Sequence, residues 1–140
     1  MKSFRILIIV LLPLNIFISC KTNTKIINGP FELSQYKNNY SARVDCNSIE
    51  YIKGYHYKLF SKYKLSGNGY SWDGVVKQIL MKKNPALLTQ IEFNSEAGMS
   101  CVESDKKSII KFINTLNPIF NNRQILEDYL SKIDLSKIDD

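Results

Sequence analysis

The sequence predicts an α+β fold in a single domain, with a small antiparallel sheet packed against three to four helices. Its 140 residues suit one domain, and a hydrophobic share of 44% is enough for a packed core. Segments with strand periodicity and segments with helix periodicity are mixed without strict β-α alternation, and no internal repeat or low-complexity run is present.

Two strands joined by a hairpin are predicted at the start of the folded part. Phe31–Tyr36 and Tyr40–Cys46 have strand character, with the turn expected at Asn38-Asn39. The second segment alternates between apolar and polar side chains, so its two faces differ. One face is expected to carry Tyr40, Ala42, Val44 and Cys46, and the other Ser41, Arg43 and Asp45.

Helices and a second strand pair follow. Ser48–Tyr63 is predicted to be one helix, although Gly54 costs about 1 kcal/mol of propensity there. The Ser66–Gly69 loop precedes a second helix, expected to be capped by Ser71. A helical turn is predicted from Asn84-Pro85 through Leu88, followed by strands Ile91–Phe93 and Met99–Glu103. The next predicted helix is capped by Ser104 or Asp105, and Asn117-Pro118 ends or kinks it. A last helix is predicted at about Arg123–Ile133.

The first residues have the pattern of an export signal. Lys2 and Arg5 precede the mainly apolar run Ile6–Ile18, which ends at Ser19-Cys20. This ending resembles a bacterial lipoprotein box, in which the cysteine becomes the lipidated first residue of the mature protein. We therefore expect a signal peptide over 1–19, a lipidated Cys20 with a tether over 20–30, and the domain over 31–140; the alternative is an uncleaved N-terminal anchor.

Both readings place the domain outside the cytoplasm on a membrane surface, and the lipoprotein reading places it in the cell envelope as a lipid-anchored protein. We expect the periplasm-facing side of the outer membrane, with the membrane as a partner through Cys20. The whole chain has a net charge of +6, and removal of residues 1–19 leaves 17 bases and 13 acids, a net of +4. Because the lysines are scattered and an exported protein seldom meets nucleic acid, no nucleic-acid partner is expected.

Two cysteines remain in the domain, in segments predicted to be strands. Cys46 and Cys101 could form a cross-sheet disulfide, which the envelope permits and which would add on the order of 4 kcal/mol through the unfolded state. The alternative is a pair of separate buried thiols that pack as small hydrophobic groups.

No catalytic, cofactor or metal site is predicted. Gly67-Asn68-Gly69 lacks both the Gly-Lys-Ser/Thr ending of a phosphate-binding loop and the third glycine of a dinucleotide loop. His56 is a lone histidine at helical spacing, which favours packing or a surface position over proton transfer. Four carboxylates around one predicted hairpin are either solvated charge or an acidic surface for a basic partner: Glu92, Glu96, Glu103 and Asp105.

Two motifs together resemble a known family. They are Gly67–Asp73, read Gly-Asn-Gly-Tyr-Ser-Trp-Asp, and Ile91–Met99, with a leucine-rich helix between them and an amphipathic helix after them. In this order and spacing, over about Leu65–Phe120, they resemble the immunity protein 51 family of bacterial polymorphic toxin systems. The resemblance implies a small α+β protein, not an enzyme and without cofactors, that binds and neutralises a cognate toxin.

We expect the toxin-binding surface to include the Ser66–Asp73 loop and the acidic hairpin. Large aromatic side chains beside polar residues are common interface anchors, although for Trp72 the pattern favours a core position at the start of the buried stripe of its helix. The alternative function is a structural or ligand-binding envelope lipoprotein. The candidate toxin-binding residues are Asn68, Tyr70, Trp72, Asp73, Glu92 and Glu96.

Overall fold

The computed structural model describes residues 26–140, which form one α+β domain. Within these residues, four strands form an antiparallel sheet and five α-helices accompany it, so the predicted fold class is confirmed. The strands are β1 (Glu32–Tyr36), β2 (Asn39–Asp45), β3 (Glu92–Phe93) and β4 (Met99–Ser104). The helices are α1 (Ile49–Lys53), α2 (Tyr55–Lys62), α3 (Gly69–Lys83), α4 (Lys106–Phe120) and α5 (Arg123–Leu130), with 3₁₀ turns at Pro85–Thr89 and Leu135–Lys137.

The sheet has the order β1-β2-β4-β3, so its two central strands come from opposite halves of the chain. Helices α3 and α4 pack on one face of this sheet, against β2 and β4. The core between them is built around Trp72, which is fully buried and stacks on Phe60 and Phe120. Phe31 meets the same indole edge-on, which ties the start of β1 to α3.

Several boundaries differ from the predicted ones for local reasons. The β1–β2 turn is Lys37-Asn38, one residue earlier than expected, with Lys37 in the left-handed region at φ 53°. The predicted helix over Ser48–Tyr63 is two helices, because Gly54 is extended at ψ 168° and caps both. Helix α3 begins at Gly69 with Asn68 as its cap, so the predicted Ser71 cap is wrong.

The later helices also differ from the prediction in detail. Asp105 is the cap of α4, since its carboxylate accepts from the Ser108 backbone N–H at 3.1 Å. Pro118 does not end α4, which continues to Phe120, because a proline this close to the helix end removes only one of its last hydrogen bonds. Helix α5 stops at Leu130.

The end of the predicted tether is already bound to the domain. Asn114 Oδ1 accepts from the Ile27 backbone N–H at 2.8 Å, and Asn117 Nδ2 donates to the Ile27 carbonyl at 2.6 Å. Asn117 also bonds both backbone groups of Phe31. Helix α4 therefore fixes the chain from Ile27 onward. The predicted signal peptide and Cys20 lie outside the described residues, and within the described part no helix is long and apolar enough to cross a membrane.

Candidate functional site

The two motifs found in the sequence meet in the structure as a packed joint between helix α3 and the β3–β4 hairpin. Gly69, the first residue of α3, donates its backbone N–H to the Ala97 carbonyl at 3.0 Å. A Cβ at this position would lie 2.0 Å from the Glu96 carbonyl oxygen and 2.4 Å from that of Met99. The backbones approach so closely that only glycine fits.

Asp73 forms the buried part of this joint. Its side chain is 7% exposed and accepts hydrogen bonds from Ser95 Oγ at 2.6 Å and Ser100 Oγ at 3.3 Å. Burial raises the pKa of the Asp73 carboxyl, and the two serine hydroxyls partly oppose that shift. Asp73 therefore holds α3 to the hairpin and offers no surface to a partner.

Asn68 and Trp72 also have structural positions. Asn68 Oδ1 accepts from the Ser71 backbone N–H at 2.8 Å and so caps α3. Trp72 has no exposed surface, and its indole N–H donates to Tyr51 Oη at 2.8 Å. Of the two sequence-level interpretations of Trp72, the structure agrees with the core one.

The other candidate toxin-binding residues reach the surface. Tyr70 is 41% exposed, and Glu92 and Glu96 are exposed. Because Gly69 touches the backbone of Glu96, Tyr70 follows directly beside the end of the β3–β4 hairpin. The structure thus brings Tyr70 and Glu96 to one end of the sheet, whereas Glu92 lies further along strand β3.

The face of the sheet opposite helices α3 and α4 carries mostly polar side chains, although its Ser41 and Cys101 are buried. We call it the open face, and its members follow from the strand register, since residues paired across antiparallel strands share a face. It comprises Glu32, Ser34 and Tyr36 of β1, Asn39, Ser41, Arg43 and Asp45 of β2, Met99, Cys101 and Glu103 of β4, and Glu92 of β3.

Four carboxylates and one guanidinium share the open face, a net charge of −3. Arg43 lies between Glu32 on β1 and Cys101 on β4. Glu92 lies directly opposite Glu103, a like-charge pair of the kind that destabilises a sheet. The sequence pattern predicted the outward side of β2, but it gave no means of placing Glu32 and Glu92 on the same face.

A cleft of about 640 Å³ lies at the end of the open face, where β2 leads into helix α1. Its walls include Glu32, Arg43 and Asp45 from the sheet and Glu50 from α1. Three of these four side chains are acidic, so the cleft suits a cationic group. Across residues 26–140, no group of three or more histidine, cysteine or acidic side chains could hold a metal ion.

Comparison with known proteins assigns the fold and these motifs to one family. The model of the family called immunity protein 51 matches residues 31–135. The chain belongs to the immunity protein 51 family. The match extends well beyond the Leu65–Phe120 segment in which the resemblance was seen. Neither the curated proteins nor the solved structures contain a match.

Membership makes the protein an immunity protein, of a kind whose partner is a toxin and which is generally not an enzyme. The region shared with the family starts at Phe31, after the predicted tether. It includes the whole sheet and helices α1 to α5. The joint and the open face are therefore both parts of the family domain.

Cys46 and Cys101, the two cysteines in the described part of this immunity protein, are free and buried, so the structure has the separate thiols and not the disulfide. Cys46 continues the core-facing side of β2, two residues after Val44, whereas Cys101 pairs with Arg43 on the open face. The side chains therefore point to opposite sides of the sheet, which disulfide geometry does not allow. Burial raises the pKa of the Cys46 thiol to about 11 and also raises that of Cys101.

His56 has a packing position in this immunity protein. Its Nε2 lies 2.8 Å from the Phe120 carbonyl oxygen, and because that oxygen only accepts, Nε2 carries the proton. Tyr55 Oη donates to the same carbonyl, and the two rings stack. Burial lowers the pKa of His56, so the neutral ring is favoured. This residue fastens helix α2 to the end of α4.

One contact beside the predicted interface had no local signal in the sequence. The Asp140 carboxylate accepts from the Ser66 backbone N–H at 2.8 Å and from Ser71 Oγ at 2.6 Å. Ile138 packs over Gly74 of helix α3. The end of the chain thus covers part of the Ser66–Asp73 loop that the sequence marked as a candidate interface. The contact joins residues about half the chain apart, which no local pattern can indicate.

Proposed function

We propose that this immunity protein binds and neutralises a cognate bacterial toxin while anchored in the cell envelope through a lipid on Cys20. The observation that carries the toxin-binding part is membership of the immunity protein 51 family over residues 31–135. Inhibition by binding needs a complementary surface of about 800 Å² on each partner and no catalytic group.

The envelope part of the proposal rests on the N-terminal sequence. The basic start, the apolar run and Ser19-Cys20 have the order that lipoprotein export requires. The family match begins eleven residues after Cys20, which leaves a short tether before the domain. An anchored immunity protein meets its toxin in the envelope, so the toxin acts there or arrives through it.

Tyr70 and Glu96 are the members of the sequence-predicted set that we propose to contact the toxin at the end of the β3–β4 hairpin. Both are exposed, and an aromatic ring beside a carboxylate suits a polar protein surface. Asn68, Trp72 and Asp73 act indirectly, by holding the helix and the hairpin in place.

The test is co-expression of the full chain with the protein encoded directly upstream, exported to the periplasm. We expect a stable complex after purification in detergent and relief of growth arrest. The matched control is Cys20→Ser, which should no longer incorporate labelled palmitate while still binding the upstream protein. An upstream protein that arrests growth, yet is neither bound nor neutralised, would contradict the proposal and favour the structural or ligand-binding lipoprotein.

A further inference from the structure

We propose that the open face, with its adjoining cleft, is the surface through which this immunity protein binds a basic region of its toxin. The proposal rests on the function proposed above and specifies the interface and the chemistry of the partner. It extends the sequence-level expectation, which placed the interface at the Ser66–Asp73 loop and the acidic hairpin, to strands β1 and β2 and to the cleft beside α1.

The charge of the open face contrasts with that of the rest of the chain. Residues 20–140 carry a net charge of +4, yet this one face carries −3. Apart from Arg43 on the face itself, the nearest cation in sequence is Lys37, in the β1–β2 turn, and its ammonium group lies over the Tyr36 ring, 5.3 Å from the centroid. Glu32 and Asp45, at the end of the face away from this turn, are therefore left to attract a basic surface.

The carboxylates of this face lack ionic partners within the domain. The ion pairs of residues 26–140 join Lys62 to Glu127, Lys132 to Asp128 and Lys137 to Asp134, all away from the open face. Glu92 instead opposes Glu103, whose carboxylate accepts from two neutral groups, the Asn94 amide at 3.0 Å and the Cys101 thiol at 3.9 Å. A like-charge pair that weakens the isolated fold becomes favourable once a cation lies between or above its members.

Arg43 supplies a second, independent indication of a partner. It is half-buried at the centre of the face, and its Nε is fully buried without a hydrogen-bond acceptor in the described chain. Leaving a buried donor unpaired is costly, so the unpaired Nε calls for an explanation. If the partly exposed Arg43 side chain turns on binding, its Nε can donate to an acceptor on the toxin, such as a backbone carbonyl, and so place one fixed hydrogen bond among the acidic contacts.

The size of the face sets how far the interface extends. Twenty strand residues, at about 3.4 Å per residue and 4.8 Å between strands, give a flat area of about 300 Å². A stable interface needs about 800 Å² per partner. The contact therefore extends into the cleft beside α1 and around Met99 to the hairpin end, which includes Glu96 and Tyr70.

The experiment compares two double variants of the full chain that each remove two negative charges. Glu32→Gln with Glu92→Gln alters the open face, and neither side chain makes a hydrogen bond or ion pair in the described chain. Asp128→Asn with Asp139→Asn alters exposed acids elsewhere. Binding to the protein encoded directly upstream is measured by calorimetry at low and at moderate salt.

The expected result is a Kd raised about tenfold or more for the open-face variant at low salt, with a weaker salt dependence, and less than twofold for the control. Urea unfolding should show the open-face variant to be as stable as the parent, because the Glu92–Glu103 repulsion is gone. Equal binding by both variants would overturn this interface while the proposed function stands. If the parent itself does not bind, the proposed function fails and the interface with it.

Discussion

The joint between helix α3 and the β3–β4 hairpin predicts that Gly69→Ala is strongly destabilising. The added Cβ would lie 2.0 Å and 2.4 Å from two backbone carbonyl oxygens, of Glu96 and Met99, which cannot move without shifting the hairpin. Overpacking of this kind costs about 1–3 kcal/mol, and the upper end applies because both contacts are with backbone.

Two further contributions, a hydrogen bond and helix propensity, set the expected change in the free energy of unfolding of Gly69→Ala. The hydrogen bond from Gly69 N–H to the Ala97 carbonyl would stretch or break, which adds about 1 kcal/mol. The better helix propensity of alanine offsets less than about 1 kcal/mol. We therefore expect the free energy of unfolding to fall by about 3 kcal/mol.

The assay is urea unfolding followed by tryptophan fluorescence, since Trp72 is fully buried in the core. Gly98→Ala is the matched control, because its Cβ would meet only the side-chain amide of exposed Asn47, at 2.3 Å, and that amide can rotate away. The control should lose less than about 1 kcal/mol. A Gly69→Ala protein as stable as the parent, or a control that loses as much, would refute the argument that the motif is a packing joint.

Three other predictions concern buried groups. Tyr51→Phe should lower the free energy of unfolding in urea by about 3 kcal/mol, because it leaves the buried Trp72 indole N–H and the buried Gly67 carbonyl unpaired. The control, Tyr70→Phe, should lower it by almost nothing, and equal losses for the two variants would contradict the prediction. The pKa of His56 is lower in the folded state, so the unfolded chain binds its proton first and stability should fall as the pH drops from 7.5 through 6.5 to 5.5. His56→Gln should make the free energy of unfolding less dependent on pH over this range. If the pH dependence of the variant equals that of the parent, His56 is not its cause. Because they are free but buried, Cys46 and Cys101 should resist iodoacetamide in the native protein at neutral pH, and both should react in urea without reductant. If the protein mass is instead lower by two hydrogens and neither cysteine is alkylated in urea, the two form a disulfide.

The strands of the fold were predictable because their signal is local. The alternation in β2 correctly placed Ala42 and Val44 in the core and Arg43 on the outer side. The helix break at Gly54 was visible only as a propensity cost, because the sequence does not say whether a glycine will adopt an extended conformation. The prediction that Pro118 ends α4 was wrong, since the helix continues for two more residues after it, whereas the alternative of a kink stays a prediction.

The candidate site was less predictable because it depends on long-range contacts. Asn68 and Ser71 are both good caps, and Ser71 is used otherwise because its hydroxyl bonds the Gly67 N–H and Asp140. The motifs that identify the family proved to contain much of its packing. The open face arises from the strand order β1-β2-β4-β3, which local patterns do not determine.

The most direct test of the account is whether the full chain neutralises the protein encoded directly upstream when that protein is exported to the periplasm. The account predicts that the two co-purify, that growth is restored, and that Glu32→Gln with Glu92→Gln weakens both effects while the Asp128 and Asp139 control does not. A toxic upstream protein that the folded chain neither binds nor neutralises would contradict it.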